Sequence, residues 1–284
     1  MFVPGNSEKY LAKSAQSAAD AVFLDLEDGV PVQDKASARE MVAGALDLED
    51  FRPQRYVRLN AVDTPWFADD LATLAPHAPA GFCLPKVDSP TVVHGVAASL
   101  DKLEEEAGLP PGSIGLVLAI ESAVSLLNSP AIAASHHRVV GVMFGAEDYA
   151  LNLGLGTVRK REAAELLHAR SSIVVAAAAA GVYSIDGVFP DLDDPTGMLA
   201  DIQQSRDLGF SGKSTFNPRQ LADINRLFSP QPDEIEYASC VVDAFEEAQA
   251  RGDGSVAVGG QLVDLPIVLR AKRLLETAAM LEEA

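Results

Sequence analysis

Short apolar runs alternate with longer amphipathic stretches along the first 228 residues of the chain. Eight of the runs have the length and composition of buried strands: 1–3, 21–26, 56–59, 81–84, 114–121, 139–148, 181–189 and 210–216. The stretches between them carry helix signals. Because strands that alternate with helices form parallel sheets, eight such units predict an α/β fold of the (β/α)8 TIM-barrel type.

Several helix boundaries are also readable from the pattern. Helices are predicted at 8–19, 35–46, 90–107 and about 160–180. Asp34 and Ser89 stand at the start of the second and third of these, and Gly181 ends the fourth. The connecting segments of the predicted barrel are therefore largely helical.

Beyond Phe228 the pattern changes. A long amphipathic helix at 233–251 is followed by a Gly-rich turn and a final helix from Pro266. We therefore predict two domains, a catalytic barrel over residues 1–228 and a C-terminal helical extension or lid over residues 229–284.

Composition and charge narrow the function classes. The chain has 284 residues, 48% of them hydrophobic, which suits one large core. Its net charge of -19 argues against nucleic acid or an anionic membrane surface as a partner. Two cysteines make no disulfide framework, and no apolar run approaches the length of a membrane span, so a cytoplasmic protein is expected.

Two of the predicted strands end in a carboxylate, Glu121 and Asp148. The carboxyl ends of barrel strands meet at one face, where barrel enzymes keep their chemistry. No cation lies next to either acid in the sequence, so a divalent metal is the simplest way to hold them together. The alternative is that Glu121 caps the following helix and Asp148 pairs with a surface cation.

Further charged residues stand at the ends of the second to fourth strands. Asp25, Glu27 and Asp28 are crowded together, which is costly unless cations or hydrogen bonds compensate. Arg58 interrupts an apolar strand and needs an anionic partner; the pattern alone favours an ion pair with Asp25 or Glu27. Lys86 is a similar cation for which a structural ion pair is an almost equal alternative.

Several segments together resemble one family. In order along the chain they are FVPGNSEKYLAK, ADAVFLDLEDGVPVQDKASAR, YVRLN, LPKV, AIES, FGAEDYA, GKSTFNPRQ and GGQLVDLPIVLRAKRLL. They resemble the citrate lyase β-subunit-like branch of the HpcH/HpaI aldolase superfamily, which includes malyl-CoA and citramalyl-CoA lyases. The resemblance implies a Mg2+-dependent carbon–carbon lyase that performs reversible Claisen-type cleavage of a 3-hydroxy-acid thioester. The motifs do not separate the family's members.

The resemblance implies roles for individual residues around the metal. Glu121 and Asp148 match the family's Mg2+ ligands, and Glu27 and Asp28 match a pair that holds the metal's waters. Arg58 matches the arginine of the VR(V/L)N motif and is expected to stabilise the thioester enolate. Carboxylate and guanidinium chemistry thus combine in one expected retro-Claisen centre.

Asp264 matches an acid that malyl-CoA lyase-like members contribute from the C-terminal extension, usually across a subunit interface. The resemblance therefore implies an acid/base role for Asp264 and a homo-oligomer, trimer or hexamer, in which the extension packs on a neighbouring subunit. The alternative is that Asp264 is the N-cap of the helix from Pro266.

Substrate contacts are expected at five further positions. Ala146, Glu147 and Lys86 are expected beside a 2-oxo acid such as oxaloacetate, pyruvate or glyoxylate. Lys9 and Lys13, in the first helix, are candidates for meeting a phosphate of CoA.

The chain departs from the family at one position. Asn217 stands in KSTFNP where many relatives have His, so a titrating role there is not expected, although a structural or ligand-contact role is. The sequence has no GxSxG, Walker or GxGxxG motif, which removes serine-hydrolase, P-loop and Rossmann functions.

Two other functions remain open. The first is a citrate lyase β subunit that cleaves citryl-acyl carrier protein inside a larger complex. A complete C-terminal extension and an acidic surface, which repels an acidic carrier, count against it. The second is a noncatalytic barrel that binds a 2-oxo acid, which the joint presence of Arg58, Glu121, Asp148 and Asp264 disfavours.

Overall fold

In the computed structural model, which describes residues 1–157 and 163–283, eight parallel strands form one sheet in chain order. They are β1 (Phe2–Pro4), β2 (Ala21–Asp25), β3 (Gln54–Arg58), β4 (Gly81–Leu84), β5 (Gly115–Ile120), β6 (Val139–Phe144), β7 (Tyr183–Asp186) and β8 (Gly212–Lys213). The amide of Phe2 donates to the carbonyl of Thr215 at 2.7 Å, which joins the two edges of the sheet. The predicted (β/α)8 barrel is confirmed.

Helices follow the strands on the outside of the barrel. They are α1 (Glu8–Ser14), α2 (Lys35–Leu46), α3 (Phe67–Leu74), α4 (Pro90–Ala107), α5 (Ala123–Ala133), α6 (Ala146–Asn152), α7 (Leu167–Ala180), α8 (Pro195–Leu208) and α9 (Leu221–Phe228). The predictions for α2 and α4 are confirmed. In both, the apolar period and the start signal agree, so local sequence fixes the boundaries.

Two helix predictions were wrong at one end. Helix α1 stops at Ser14 instead of residue 19. The carbonyl of Ala15 accepts the amide of Arg52, whereas in a longer helix it would accept the amide four residues ahead. Helix α7 begins at Leu167, after a 3-10 turn at Ala164–Leu166, and not near residue 160. Residues 158–162 lie outside the described residues.

The sixth strand is also shorter than the predicted 139–148. Strand β6 ends at Phe144, and the carbonyl of Gly145 accepts the amide of Tyr149, which opens helix α6. Asp148 therefore lies in the first turn of a helix, where the unpaired amides favour a carboxylate. Asp148 still lies at the carboxyl end of the sheet, as predicted.

Apolar side chains fill the inside of the barrel. Phe23, Cys83, Val117 and Met143 form a buried cluster that draws on β2, β4, β5 and β6. The rings of Phe23 and Tyr56 lie 5.3 Å apart. The barrel is thus a packed core, and only its ends are available to a ligand.

The chain divides into two compact units, Met1–Ile224 and Asn225–Ala284. The second contains α10 (Pro232–Ala250), the antiparallel pair β9 (Val256–Val258) and β10 (Gln261–Val263), and α11 (Leu265–Glu283). The predicted Gly-rich turn is therefore a β-hairpin, closed by Gly259 and Gly260 at φ 55° and 82°. Val241, Phe245 and Val263 belong to this unit's own core. Across the described residues, every helix is too short or too polar to cross a membrane.

Candidate active site

Charged side chains collect at the carboxyl end of the barrel strands. They are Asp25, Glu27, Asp28, Arg58, Lys86, Glu121 and Asp148. Asp28, Arg58, Glu121 and Asp148 line a cleft of about 380 Å³ whose apolar walls include Met143. The structure thus brings together the acids and the arginine that the sequence analysis selected, which lie at or just after the ends of β2, β3 and β5 and in α6.

Arg58, the last residue of β3, is held by two acids. Its Nε and a terminal nitrogen donate to the two carboxylate oxygens of Asp25 at 2.6 and 2.7 Å. A further nitrogen lies 3.2 Å from a Glu27 oxygen. The ion pair that the pattern favoured is therefore present with both acids, and the ring of Phe2 covers the guanidinium at 4.7 Å. Such a bidentate pair fixes the orientation of the guanidinium plane.

Asp25 is a site residue to which the sequence analysis gave no role of its own. Besides Arg58, it accepts the amides of Glu27 at 2.9 Å and Gly29 at 3.0 Å. The sequence did carry a signal for Asp25, because Asp25 and Arg58 stand at the ends of consecutive predicted strands. In the structure the two residues are register partners. Asp25 therefore both shapes the loop after β2 and fixes the orientation of the Arg58 guanidinium.

Lys86 follows β4 and contacts both halves of the site. Its ammonium pairs with Glu27 at 3.1 Å, and its amide donates to Glu121 at 2.6 Å. The backbone of Lys86 is left-handed, with φ 55°, which is uncommon for a residue with a side chain. The structural ion pair that stood as the alternative for Lys86 is thus observed, and its contact with a substrate stays a prediction.

Glu121 is buried and points into the cleft instead of capping α5. The cap belongs to Ser122, whose hydroxyl accepts the amide of Ser125. A Cβ atom on Gly145 would lie 2.3 Å from a carboxylate oxygen of Glu121, so the glycine makes room for that carboxylate. The helix-cap alternative for Glu121 is excluded by this arrangement.

The carboxylates outnumber the cations in the site. Burial and the neighbouring Glu27 and Asp148 raise the pKa of Glu121 to about 7. Burial and Asp28 likewise raise the pKa of Asp148. Burial and like charge thus disfavour the ionised carboxylates despite the nearby Arg58 and Lys86, and a bound cation would oppose both effects. Two carboxylates with excess negative charge suit a hard divalent cation that keeps water ligands. In the described part of the chain, no group of three or more acidic, His or Cys side chains is arranged so that it could hold a metal ion by itself.

The remaining predicted contacts are placed as follows. Ala146 and Glu147 line the cleft at the start of α6. Lys9 and Lys13 lie exposed on α1. The side chain of Asn217 accepts the amide of Arg219 and so caps a 3-10 turn, a structural role.

Asp264 belongs to the C-terminal unit, where it is exposed. Its backbone carbonyl accepts the amides of Ile267 and Val268, which opens α11. Among the residues that the structure describes, its carboxylate has no hydrogen-bond or ion-pair partner. The N-cap alternative for this side chain is therefore not observed.

Two buried polar residues near the site escaped the sequence analysis. Lys35, at the start of α2, donates to the backbone of the loop after β2, and Asn60 follows β3. A cation on the buried face of an amphipathic helix was the available signal for Lys35, because it must find partners inside the protein.

A parallel barrel with acids, an arginine and a lysine converging at the carboxyl ends of its strands defines a barrel enzyme. The model of the HpcH/HpaI aldolase/citrate lyase family matches residues 1–218. The chain therefore belongs to this family and is a carbon–carbon lyase.

Individual relatives match almost the entire chain. The citrate lyase subunit beta of Leuconostoc mesenteroides subsp. cremoris is 38% identical over 98% of this chain and 92% of its own. Human mitochondrial citramalyl-CoA lyase is 33% identical over 100% of this chain and 86% of its own. The crystal structure of CitE from Mycobacterium tuberculosis with magnesium, acetoacetate and coenzyme A matches with a TM-score of 0.83 and 30% sequence identity. The match covers 98% of this chain and 96% of the CitE chain.

Proposed function

We propose that the protein is a Mg2+-dependent lyase that reversibly cleaves a 3-hydroxy-acid CoA thioester of the malyl, citramalyl or citryl type. The products are an acetyl thioester and a 2-oxo acid. The observation that carries this proposal is the Glu121–Asp148 pair in the same cleft as the fixed guanidinium of Arg58. Such a cleft can hold an anionic, chelating substrate and stabilise a second negative charge.

Glu121 and Asp148 are the residues that would hold Mg2+. Their donor set is two carboxylates, and burial and neighbouring acids raise the pKa of each, so a bound cation would favour the ionised form of both. Bound Mg2+ would supply a Lewis acid for the hydroxyl and carboxylate oxygens of the substrate. Glu27 and Asp28, at the end of β2, would hold water molecules around it.

Arg58 would stabilise the charge that develops on the thioester. When the carbon–carbon bond breaks, its electron pair passes to the thioester enolate. The hydroxyl proton leaves to solvent, and the hydroxyl carbon becomes the carbonyl of the 2-oxo acid. Because Asp25 and Glu27 already orient the guanidinium, little reorganisation is needed during the reaction. Lys86, Ala146 and Glu147 would contact the 2-oxo acid, and Lys9 and Lys13 a CoA phosphate.

Asp264 would deliver the proton that reaches the methyl carbon of the acetyl product. Its exposed carboxylate is free to do so. The apolar side chains that flank it, Leu262, Leu265 and Leu269, are 68, 52 and 57% exposed. Such a surface suits contact with another copy of the chain. We therefore propose a homotrimer or hexamer, in which the extension over residues 229–284 covers the site of a neighbouring subunit.

The role of a citrate lyase β subunit is the second candidate, with citryl-acyl carrier protein as substrate and oxaloacetate as product. The 38% identity to such a subunit favours it. Because that match spans 98% of this chain, a complete C-terminal extension does not separate the two candidates. The acidic surface, with a net charge of -19, still disfavours an acidic carrier.

The deciding experiment offers malyl-CoA, citramalyl-CoA and citryl-CoA to the purified protein with Mg2+. Acetyl-CoA and the 2-oxo acid are quantified together, so that thioester hydrolysis, which releases free CoA and the intact hydroxy acid, is told apart from carbon–carbon cleavage. We expect equal amounts of both products and no turnover in excess EDTA. If none of the three CoA thioesters is cleaved but citryl-acyl carrier protein is, the result favours the citrate lyase β subunit. If none of these four substrates is cleaved, the result favours a noncatalytic barrel that binds a 2-oxo acid.

We also infer that the protein acts in the cytoplasm. The described residues contain no helix that could span a membrane, and Cys83 and Cys240 are both free thiols. Unpaired cysteines are usual in a reducing compartment.

A further inference from the structure

A buried ammonium group lies behind the site. Lys35 is only 6% exposed, and its Nζ donates to the carbonyls of Leu26 at 2.6 Å and Glu27 at 2.8 Å. It also donates to the side-chain oxygen of Asn60 at 2.6 Å. All three donors of the ammonium are therefore used, and all of its acceptors are neutral oxygens.

The contact with Asn60 continues into a second charged pair. The amide nitrogen of the Asn60 side chain donates to Asp70 at 2.6 Å, and Asp70 is fully buried. Nε of Arg39 donates to the other oxygen of Asp70 at 2.7 Å. Lys35 and Arg39 both come from α2, so the network connects α2, the loop after β3 and α3.

The network holds the two backbone segments whose side chains meet in the site. Lys35 binds the carbonyl of Glu27 itself, and Asn60 lies two residues after Arg58. Across the same gap, a nitrogen of Arg58 lies 3.2 Å from the Glu27 carboxylate. The ammonium therefore ties the loop after β2 to the loop after β3, in addition to the 2.9 Å hydrogen bond from the amide of Leu26 to the carbonyl of Arg58.

A lysine suits this position for two physical reasons. Only an ammonium offers three donors in a space this small. Among the described residues, the backbone carbonyl of Leu26 has no other hydrogen-bond partner, whereas that of Glu27 also accepts the amide of Val30. Its positive charge also lies near Asp25, Glu27 and Asp28, and so reduces the repulsion among these acids.

We propose that Lys35 is a positioning residue for the lyase reaction: it sets the distance between Glu27 and Arg58, and so the direction in which Arg58 faces the substrate. This inference rests on the proposed function. Asn60 transmits the same constraint to Asp70. Because a displacement of about 1 Å at a catalytic group can cost about a hundredfold in rate, loss of Lys35 should lower kcat more than it weakens binding.

The test compares Lys35→Met with Arg138→Met. Arg138 is a buried cation of an equally well-paired cluster, but its partners, Asp101 and Glu104, lie in α4, away from the cleft. We expect Lys35→Met to lower kcat per folded molecule at least about tenfold, with a change in KM below about threefold. Arg138→Met should leave kcat per folded molecule unchanged.

A second readout does not depend on turnover. In protein labelled with 15N-arginine, the Nε–H signal of Arg58, identified by its absence in Arg58→Lys, reports the hydrogen bond to Asp25. We expect Lys35→Met to shift or broaden this signal and Arg138→Met to leave it in place. This result would support the positioning role even if no thioester were cleaved.

Asn60→Ala provides a milder variant should Lys35→Met fail to fold. It leaves the two backbone contacts of Lys35 and removes the two side-chain hydrogen bonds of Asn60, from Lys35 and to Asp70. Because two of the three contacts of Lys35 remain, a smaller loss of kcat and a smaller shift of the same NMR signal are expected. An unchanged Arg58 signal in the folded variants would overturn the proposal. So would an equal loss of kcat in Lys35→Met and Arg138→Met.

Discussion

At the scale of single residues, the same acids serve structure and the proposed chemistry. Arg58 makes the ion pairs that pattern alone favoured, and those pairs leave it oriented at the cleft. The structural and the catalytic interpretation of Arg58 therefore do not compete. A guanidinium that is already paired is a fixed charge, which is what stabilisation of an enolate requires.

The first prediction concerns the planar shape of the Arg58 guanidinium. Arg58→Lys keeps the positive charge but removes the planar fork that binds both oxygens of Asp25. We expect kcat for thioester cleavage to fall about 10²–10³-fold, the usual effect of losing one preorganised donor. Steady-state kinetics measures this directly.

Arg55→Lys is the matched control for this variant. Arg55 lies on the same strand, but its guanidinium donates to the carbonyls of Leu46 and Leu48, at the end of α2. We expect its kcat to stay within about twofold of the wild type. A similar loss in both variants would contradict a specific role for Arg58.

At the scale of elements, the junction between β6 and α6 decides the site. The sequence analysis extended the strand to Asp148, whereas Gly145 ends it and a helix turns Asp148 toward the cleft. Periodicity could not separate strand from helix start over so few residues, because both place an acid beyond an apolar run. The identity of the acid was predictable, but its backbone conformation was not.

The second prediction tests this junction with Gly145→Ala. The added Cβ would lie 2.3 Å from a carboxylate oxygen and 2.5 Å from the Cβ of Glu121, so Glu121 must move. We expect Mg2+ affinity, measured by isothermal titration calorimetry, to fall at least about tenfold. Unchanged affinity would mean that Glu121 is not a metal ligand.

Gly44→Ala is the control, since Gly44 lies exposed in α2 with nothing within 4 Å of its added Cβ. We expect normal Mg2+ affinity and a gain of about 1 kcal/mol in the free energy of unfolding.

At the scale of the whole molecule, one question is whether a site is completed by a second copy of the chain. Each half, the barrel and the C-terminal unit with Asp264, has its own core. A residue on a separately packed unit can serve its own barrel or a neighbour's. Functional complementation distinguishes these two arrangements.

The third prediction uses two inactive variants, Arg58→Lys and Asp264→Asn. If Asp264 acts across subunits, mixed oligomers contain sites with an intact barrel and an intact Asp264, and random assembly recovers about one quarter of wild-type activity. The variants are unfolded, mixed, refolded and assayed. No recovery in demonstrably mixed oligomers would place Asp264 in its own subunit's site.

The fourth prediction concerns stability. Arg138 donates to both carboxylate oxygens of Glu104 at 2.7 and 2.6 Å, and both side chains are buried. Removing one partner leaves a buried charge, so Arg138→Met should lower the free energy of unfolding by about 3–5 kcal/mol. Urea denaturation measures this, and Arg251→Met, from an exposed pair with Asp253, should cost under about 1 kcal/mol.

The ion pair of Arg138 and Glu104 also makes the free energy of unfolding depend on pH. Burial alone would raise the pKa of Glu104, but Arg138 and the amides of Ile114 and Gly112 hold it at about 2. The unfolded chain titrates near 4.5. This stabilisation is therefore complete above pH 4.5 and is lost as the pH falls toward 2. Glu104→Gln should show a smaller loss of stability between pH 5 and 3 than the wild type, in urea titrations.

The barrel was predictable from the sequence, because eight apolar runs alternate with helical stretches, and so were the positions of Glu121 and Asp148, because each ends such a run. A partner for Arg58 was predictable as well. The fold was needed to show that Asp25 and Glu27 are both partners, that Ser122 and not Glu121 caps α5, and that Lys35 reaches across to Asn60. Periodic patterns report burial along one segment, whereas these contacts join segments whose distance the barrel alone sets.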